Sequence, residues 1–137
     1  MKKIWGILIV GLLLGTQILA ADDVYYCLDD QAIGFSGQEK SYGEVKHYEP
    51  QKFKFKLIEN TKEPWSAKVI MTEKGENTEY KCTVYPFDAI RCTYSVGAIF
   101  VFNKEENKYS RARIHTFAWG WKYMGDMWMS YGTCGKY

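Results

Sequence analysis

Three methionines and several aromatic rings crowd into Trp119-Gly120-Trp121-Lys122-Tyr123-Met124-Gly125-Asp126-Met127-Trp128-Met129-Ser130-Tyr131. Thioethers are soft ligands that select Cu(I). Met127 and Met129 are two apart and share one face of a strand, with Met124 in the adjoining turn. That spacing, with tryptophan beside it, suits a Cu(I) carrier. The competing reading is packing, because methionine fills irregular gaps in cores and barrel mouths. The rings of Trp119, Trp121, Tyr123 and Trp128 point to a second chemistry. Indole and phenol stack on sugars or apolar ligands and keep a polar tip for hydrogen bonding. Burial in a core is again the plain alternative.

Arg111, Arg113 and His115 alternate along one strand face. Turned into a barrel, such arginines hold a carboxylate or phosphate bidentately; turned outward, they are a solvated face. Lys52, Lys54 and Lys56 make a similar stripe, which reads as a solvated or edge-protecting face. Catalytic sets are missing from the pattern. A nucleophile needs a base held by a third group, and the two histidines, His47 and His115, carry no such signature. Neither a phosphate-cradling glycine loop nor a metalloprotease motif occurs. The expectation is a protein that is not an enzyme and carries no cofactor, with a periplasmic Cu(I) protein using Met124, Met127 and Met129 as one alternative and an enzyme of unrecognised type as another.

The cysteines say where the chain works. Its start, Met1-Lys2-Lys3, an apolar run over 4–14 and a small-residue exit at Ala20-Ala21, has the three parts of a secretory signal peptide. The run is shorter than the roughly 20 residues of a spanning helix. Residues 1–20 are expected to be removed, leaving 21–137 as one disulfide-stapled domain in the periplasm or outside the cell, with no stable membrane span. Without Lys2 and Lys3 the 18 basic residues fall to 16 and match the 16 acidic ones. A neutral surface argues against nucleic-acid binding, which needs a large positive field. Cys27, Cys82, Cys92 and Cys134 are an even set in a small exported domain, which implies two disulfides. No C-x-x-C spacing suggests zinc instead.

What must position these residues is an all-β fold. Alternation of period 2 recurs and long 3.6-period stretches are absent. Strands are expected over 24–28, continued or restarted at 32–35, then over 53–57, 67–71, 78–85, 90–96, 99–102, 108–117 and 128–134. Turns fall at 73–77, 86–89 and 103–107, and any helix lies within 36–50. About eight strands imply a closed barrel or a two-sheet sandwich. Four cysteines allow three pairings. The layout favours Cys82 with Cys92 across a hairpin, and Cys27 with Cys134 between the first and last strands.

Several short segments also carry a likeness: Tyr25-Tyr26-Cys27, Ile33-Gly34-Phe35, the Cys82 to Cys92 hairpin, Ile99-Phe100-Val101-Phe102-Asn103 before Tyr109-Ser110, and Gly132-Thr133-Cys134-Gly135-Lys136-Tyr137. Together they resemble small exported bacterial proteins of unknown function. The resemblance implies an extracytoplasmic compartment and a compact β domain, and it brings no activity. The expected role is therefore a binding or interaction domain whose partner is a small molecule, a glycan or an envelope protein.

Overall fold

The computed structural model describes residues 23–60, 62–95, 97–114 and 125–136; the expected leader lies outside them. Nine strands follow in chain order: β1 (Asp23–Phe35), β2 (Val45–His47), β3 (Lys52–Glu59), β4 (Ser66–Glu73), β5 (Glu76–Tyr85), β6 (Ala89–Tyr94), β7 (Ala98–Asn103), β8 (Lys108–Arg113) and β9 (Met127–Lys136). From β3 onward each pairs antiparallel with the next, and β9 returns to pair with β1. The result is a closed eight-stranded barrel, with β2 as an extra strand against the second half of β1. Closure removes the sheet edges that an open sheet of this size would expose.

The first strand is continuous where the sequence left a break open. A register shift between Asp29 and Gln31 lets the two halves follow each other. Within 36–50 the structure has a short 3-10 turn at Glu39–Ser41 and the strand β2. The β4–β5 turn is tighter than the expected 73–77. Glu73 faces Glu76 directly, with Lys74 (φ 50°) and Gly75 (φ 81°) between them. Two successive positive φ values are the signature of a tight hairpin whose twist matches its strands.

Alternation decides what enters the barrel. Phe53, Phe55 and Leu57 of β3 are buried, and Lys52, Lys54 and Lys56 between them face solvent. Ala67, Val69 and Met71 of β4 are likewise inward. Tyr25 stacks on Phe55 with centroids 4.9 Å apart, and Phe102 meets both rings edge-on at 4.8 and 5.0 Å. Such pairs contribute about 0.5–1.5 kcal/mol each beyond the area they bury. Both disulfides join residues that are direct partners in register: Cys27 with Cys134 and Cys82 with Cys92. The first fastens the two strands whose pairing closes the barrel. Gly132 is required beside it, because a Cβ there would lie 2.0 Å from the carbonyl oxygen of Leu28.

The up-and-down order gives the barrel two ends. The strand ends at Glu73, Tyr94, Arg113 and Met127 gather at one, the mouth. Those at Glu59, Tyr85, Asn103 and Lys136 gather at the other, the base, where β1 also begins. Among the described residues the aromatic core fills the base and middle, so the polar side chains that enter the barrel stand towards the mouth.

Candidate functional site

The floor of the mouth is a buried ionic cluster. Inward positions of β8 are Tyr109 and Arg111, so strand parity carries a guanidinium into the barrel above the aromatic core. Arg111 Nη1 and Nη2 donate to the two carboxylate oxygens of Glu73 at 3.1 and 3.3 Å. Nη2 also donates to Asp29 Oδ2 at 3.3 Å, and Nε to Ser130 Oγ at 3.1 Å. The guanidinium carbon lies 4.2 Å from the ring centre of Phe53 and 5.2 Å from that of Trp128. Arginine suits this place because its planar fork satisfies carboxylates in its plane while its faces rest on rings.

Asp29 is the second hub. Its Oδ1 accepts from the Tyr109 hydroxyl at 2.5 Å, and its Oδ2 accepts from the Gln51 backbone N–H at 3.0 Å. Burial, reinforced by the hydrogen bond to Asp29, pushes the Tyr109 phenol well above its ordinary value. For Arg111, burial acts to lower the pKa, but the Glu73 and Asp29 carboxylates outweigh it and hold the guanidinium above its ordinary value. Buried charges are tolerable when paired and hydrogen-bonded in this way.

Above the floor opens a cavity of about 450 Å³, rimmed by Tyr48, Lys74, Arg113, Asp126 and Trp128. Asp126 ties the start of β9 to the β1–β2 region. It accepts from the Gly37 backbone N–H at 2.7 Å, the Tyr48 hydroxyl at 2.6 Å and Lys46 Nζ at 3.1 Å. Partial burial works against its charge, yet these donors hold its carboxyl below the ordinary value. Lys74 and Arg113 have no carboxylate partner among the described residues. Ser130, the buried hydroxyl of the site, faces Arg111, which is a donor and not a base.

The structure sorts the sequence candidates into groups. Arg111, Arg113 and Trp128 meet at the mouth. Of the two readings of Arg111, the solvated outer face is corrected: it is inside, and the carboxylates it holds are the chain's own, Glu73 and Asp29. Met127 and Met129 are together, at the mouth end of β9, but their side chains line neither the core nor the mouth cavity. They lie on the outer wall in an apolar groove of about 300 Å³ with Ile33, Phe35, Val45 and Ile114, and Met129 is 59% exposed. Trp119, Trp121, Tyr123, Met124 and His115 lie outside the described residues.

Asp29, Glu73, Tyr109, Lys74, Tyr48 and Asp126 were missed by the sequence reading. For the first two a signal existed. Asp29 continues the inward series Tyr25, Cys27, and Glu73 continues Ala67, Val69, Met71. A carboxylate in phase with an apolar series marks a charge turned into the protein. Comparison with family models, with curated proteins and with solved structures finds no match for this chain.

Proposed function

We propose that this chain is an exported, non-enzymatic binding domain that takes a small ligand at the mouth of its barrel. One contrast carries the reading. Arg111 commits its donors to protein groups, whereas Lys74 and Arg113 face the same region as Trp128 with no carboxylate partner among the described residues. Unpaired cations beside an indole fit a flat apolar body bearing an acidic group. The exported setting is supported by the tripartite start of the chain and by two disulfides. No helix among the described residues is long and apolar enough to cross a membrane.

Titration calorimetry with indole-3-carboxylate and benzoate tests the site, with the corresponding amides as controls. The carboxylates are expected to bind and the amides to bind at least tenfold more weakly. Arg113→Ala should remove that preference, and Trp128→Ala should remove binding. Equal affinity for acid and amide, or no binding of either, overturns the proposal. The export reading is tested separately: mass spectrometry should find the processed chain beginning at Ala21 or Asp22, and an intact Met1 would refute it.

A second reading, a Cu(I) carrier, rests on Met127 and Met129 sharing one outer face, where Met129 is exposed to a soft ion.

A further inference from the structure

The ion pair between Arg111 and Glu73 is a bar across the barrel. Its residues stand on β8 and β4, which lie on opposite sides of the ring of eight strands. The cavity already described opens on the β1 and β9 side of the bar. A second lobe of about 350 Å³ opens on the other side, towards β5 and β7. Glu73, Lys74, Arg111, Arg113 and Trp128 line both lobes.

The lobes differ in which polar groups already have partners. In the first, the Tyr48 hydroxyl donates to Asp126, and both carboxylate oxygens of Asp126 and of Asp29 accept from protein donors. In the second, strand alternation turns Thr78 and Tyr80 of β5 inward, in phase with buried Cys82. Met71 and Ala98 close its apolar side. The Tyr80 ring packs against the core, with its centre 5.7 Å from that of Tyr94 and 6.4 Å from that of Phe100. Its hydroxyl has no hydrogen-bond partner among the described residues. Lys74 and Arg113 also line this lobe, and neither has a carboxylate partner there.

A half-buried hydroxyl without a partner departs from the rule that polar groups taken from water are paired. A ligand acceptor in the second lobe would complete it. Burial holds the Tyr80 phenol above its ordinary value, against the opposing pull of Arg113 and Arg111. The phenol therefore keeps its proton at neutral pH and can donate, with both guanidinium groups near enough to act on it.

Charge limits the head that fits. At the floor, Asp29 and Glu73 exceed Arg111 by one negative charge. Above it, Lys74 and Arg113 exceed Glu76, which is exposed on the hairpin, by one positive charge. Asp126 and Lys46 pair with each other in the first lobe. Local donors can hold one negative charge in the second lobe, and the floor repels a second.

We infer that the second lobe receives the acid of the ligand: a single carboxylate held by Arg113 and the Tyr80 hydroxyl, with Lys74 beside them and the flat body on Trp128. This rests on the mouth being a binding site and makes Tyr80 a specificity-determining residue of it.

Titration calorimetry on the processed protein tests this with benzoate, benzamide and phenyl phosphate. Tyr80→Phe should weaken benzoate at least tenfold and benzamide less than threefold, because a hydrogen bond to a charged acceptor is about twice as strong as one to a neutral acceptor. Its melting temperature should equal or exceed that of wild type, because the hydroxyl bonds no protein group. Phenyl phosphate should bind wild type more weakly than benzoate does. Wild-type benzoate affinity in Tyr80→Phe overturns the inference and leaves the binding reading of the mouth standing. An equal loss for benzoate and benzamide also overturns it, by assigning Tyr80 to packing. A fall in melting temperature does the same, by giving the hydroxyl a structural partner. Tighter binding of phenyl phosphate overturns the single carboxylate. No binding of benzoate or benzamide by wild type removes the mouth reading, and this inference with it.

Discussion

Tyr109 donates its hydroxyl to Asp29 across the barrel, from β8 to β1, and two residues further along β8 Arg111 reaches the same carboxylate. One aspartate therefore links the strand that opens the barrel to the strand before the last. The cluster is both the roof of the aromatic core and the floor of the mouth, so stability and binding are separable only at the rim.

Arg111→Ala leaves Asp29 and Glu73 facing each other without a cation. Breaking a buried pair in this way costs about 3–5 kcal/mol. Urea denaturation should show that loss. Arg111→Lys should not restore stability, because an ammonium cannot serve Glu73 bidentately and Ser130 at once.

The two disulfides should differ in weight. Cys27–Cys134 closes a separation of 107 residues and Cys82–Cys92 one of 10. The loop-entropy model puts these at about 5 and about 3 kcal/mol. Cys134→Ser should be the more destabilised variant and should expose Cys27 to a thiol reagent. Cys92→Ser should expose Cys82. Equal melting temperatures for the two would show that closing the long loop carries no extra stability.

Gly132→Ala places a methyl group against the backbone of β1, 2.0 Å from the Leu28 carbonyl oxygen. Strands joined by a disulfide have little room to part. A loss of about 2–3 kcal/mol is expected in denaturant titration, with hydrogen exchange rising first along β1 and β9. A melting temperature within a degree of wild type would contradict the close approach.

Stability should fall at both pH extremes for identifiable reasons. The Asp126 carboxyl is held below its ordinary value in the fold. Its contribution is present above the unfolded carboxyl value of about 4 and is lost as pH falls through the lower, folded one. The Tyr109 phenol is raised, so its contribution is present below about pH 10 and is lost above it. Denaturation curves for Asp126→Asn should lie below wild type at pH 7 and converge with it in acid. Tyr109→Phe should flatten the alkaline limb. Parallel curves at every pH would remove both groups from the account.

For the copper reading, Met129→Leu keeps side-chain volume and removes the thioether. An anaerobic Cu(I) titration should show affinity in the wild type and a loss of at least tenfold in the variant, with unchanged melting. Wild-type protein without Cu(I) affinity ends that reading.

Local pattern was enough for much of the barrel. Phenylalanines alternating with lysines at 53–57 specify both a strand and its inner face, because each ring can be buried only if its neighbours are not. The placement of Cys82 and Cys92 about one turn favours their pairing over the other two arrangements, and the structure has it, with Cys27 joined to Cys134. Arg111 shows where local pattern runs out. The residues between Tyr109, Arg111 and Arg113 are Ser110 and Ala112, small and neutral, so neither face of β8 declares itself. A buried guanidinium is settled by its partners, and these stand 38 and 82 residues away at Glu73 and Asp29. The same holds for the methionines: their shared face is a matter of spacing, but which side of a closed wall that face becomes depends on the register of β9 against β1. Sequence thus determined the strands, their alternation and the cysteine framework, which depend on neighbours along the chain. Closure and the ionic floor were decided by the tertiary structure, because each depends on groups that only the closed barrel brings within reach.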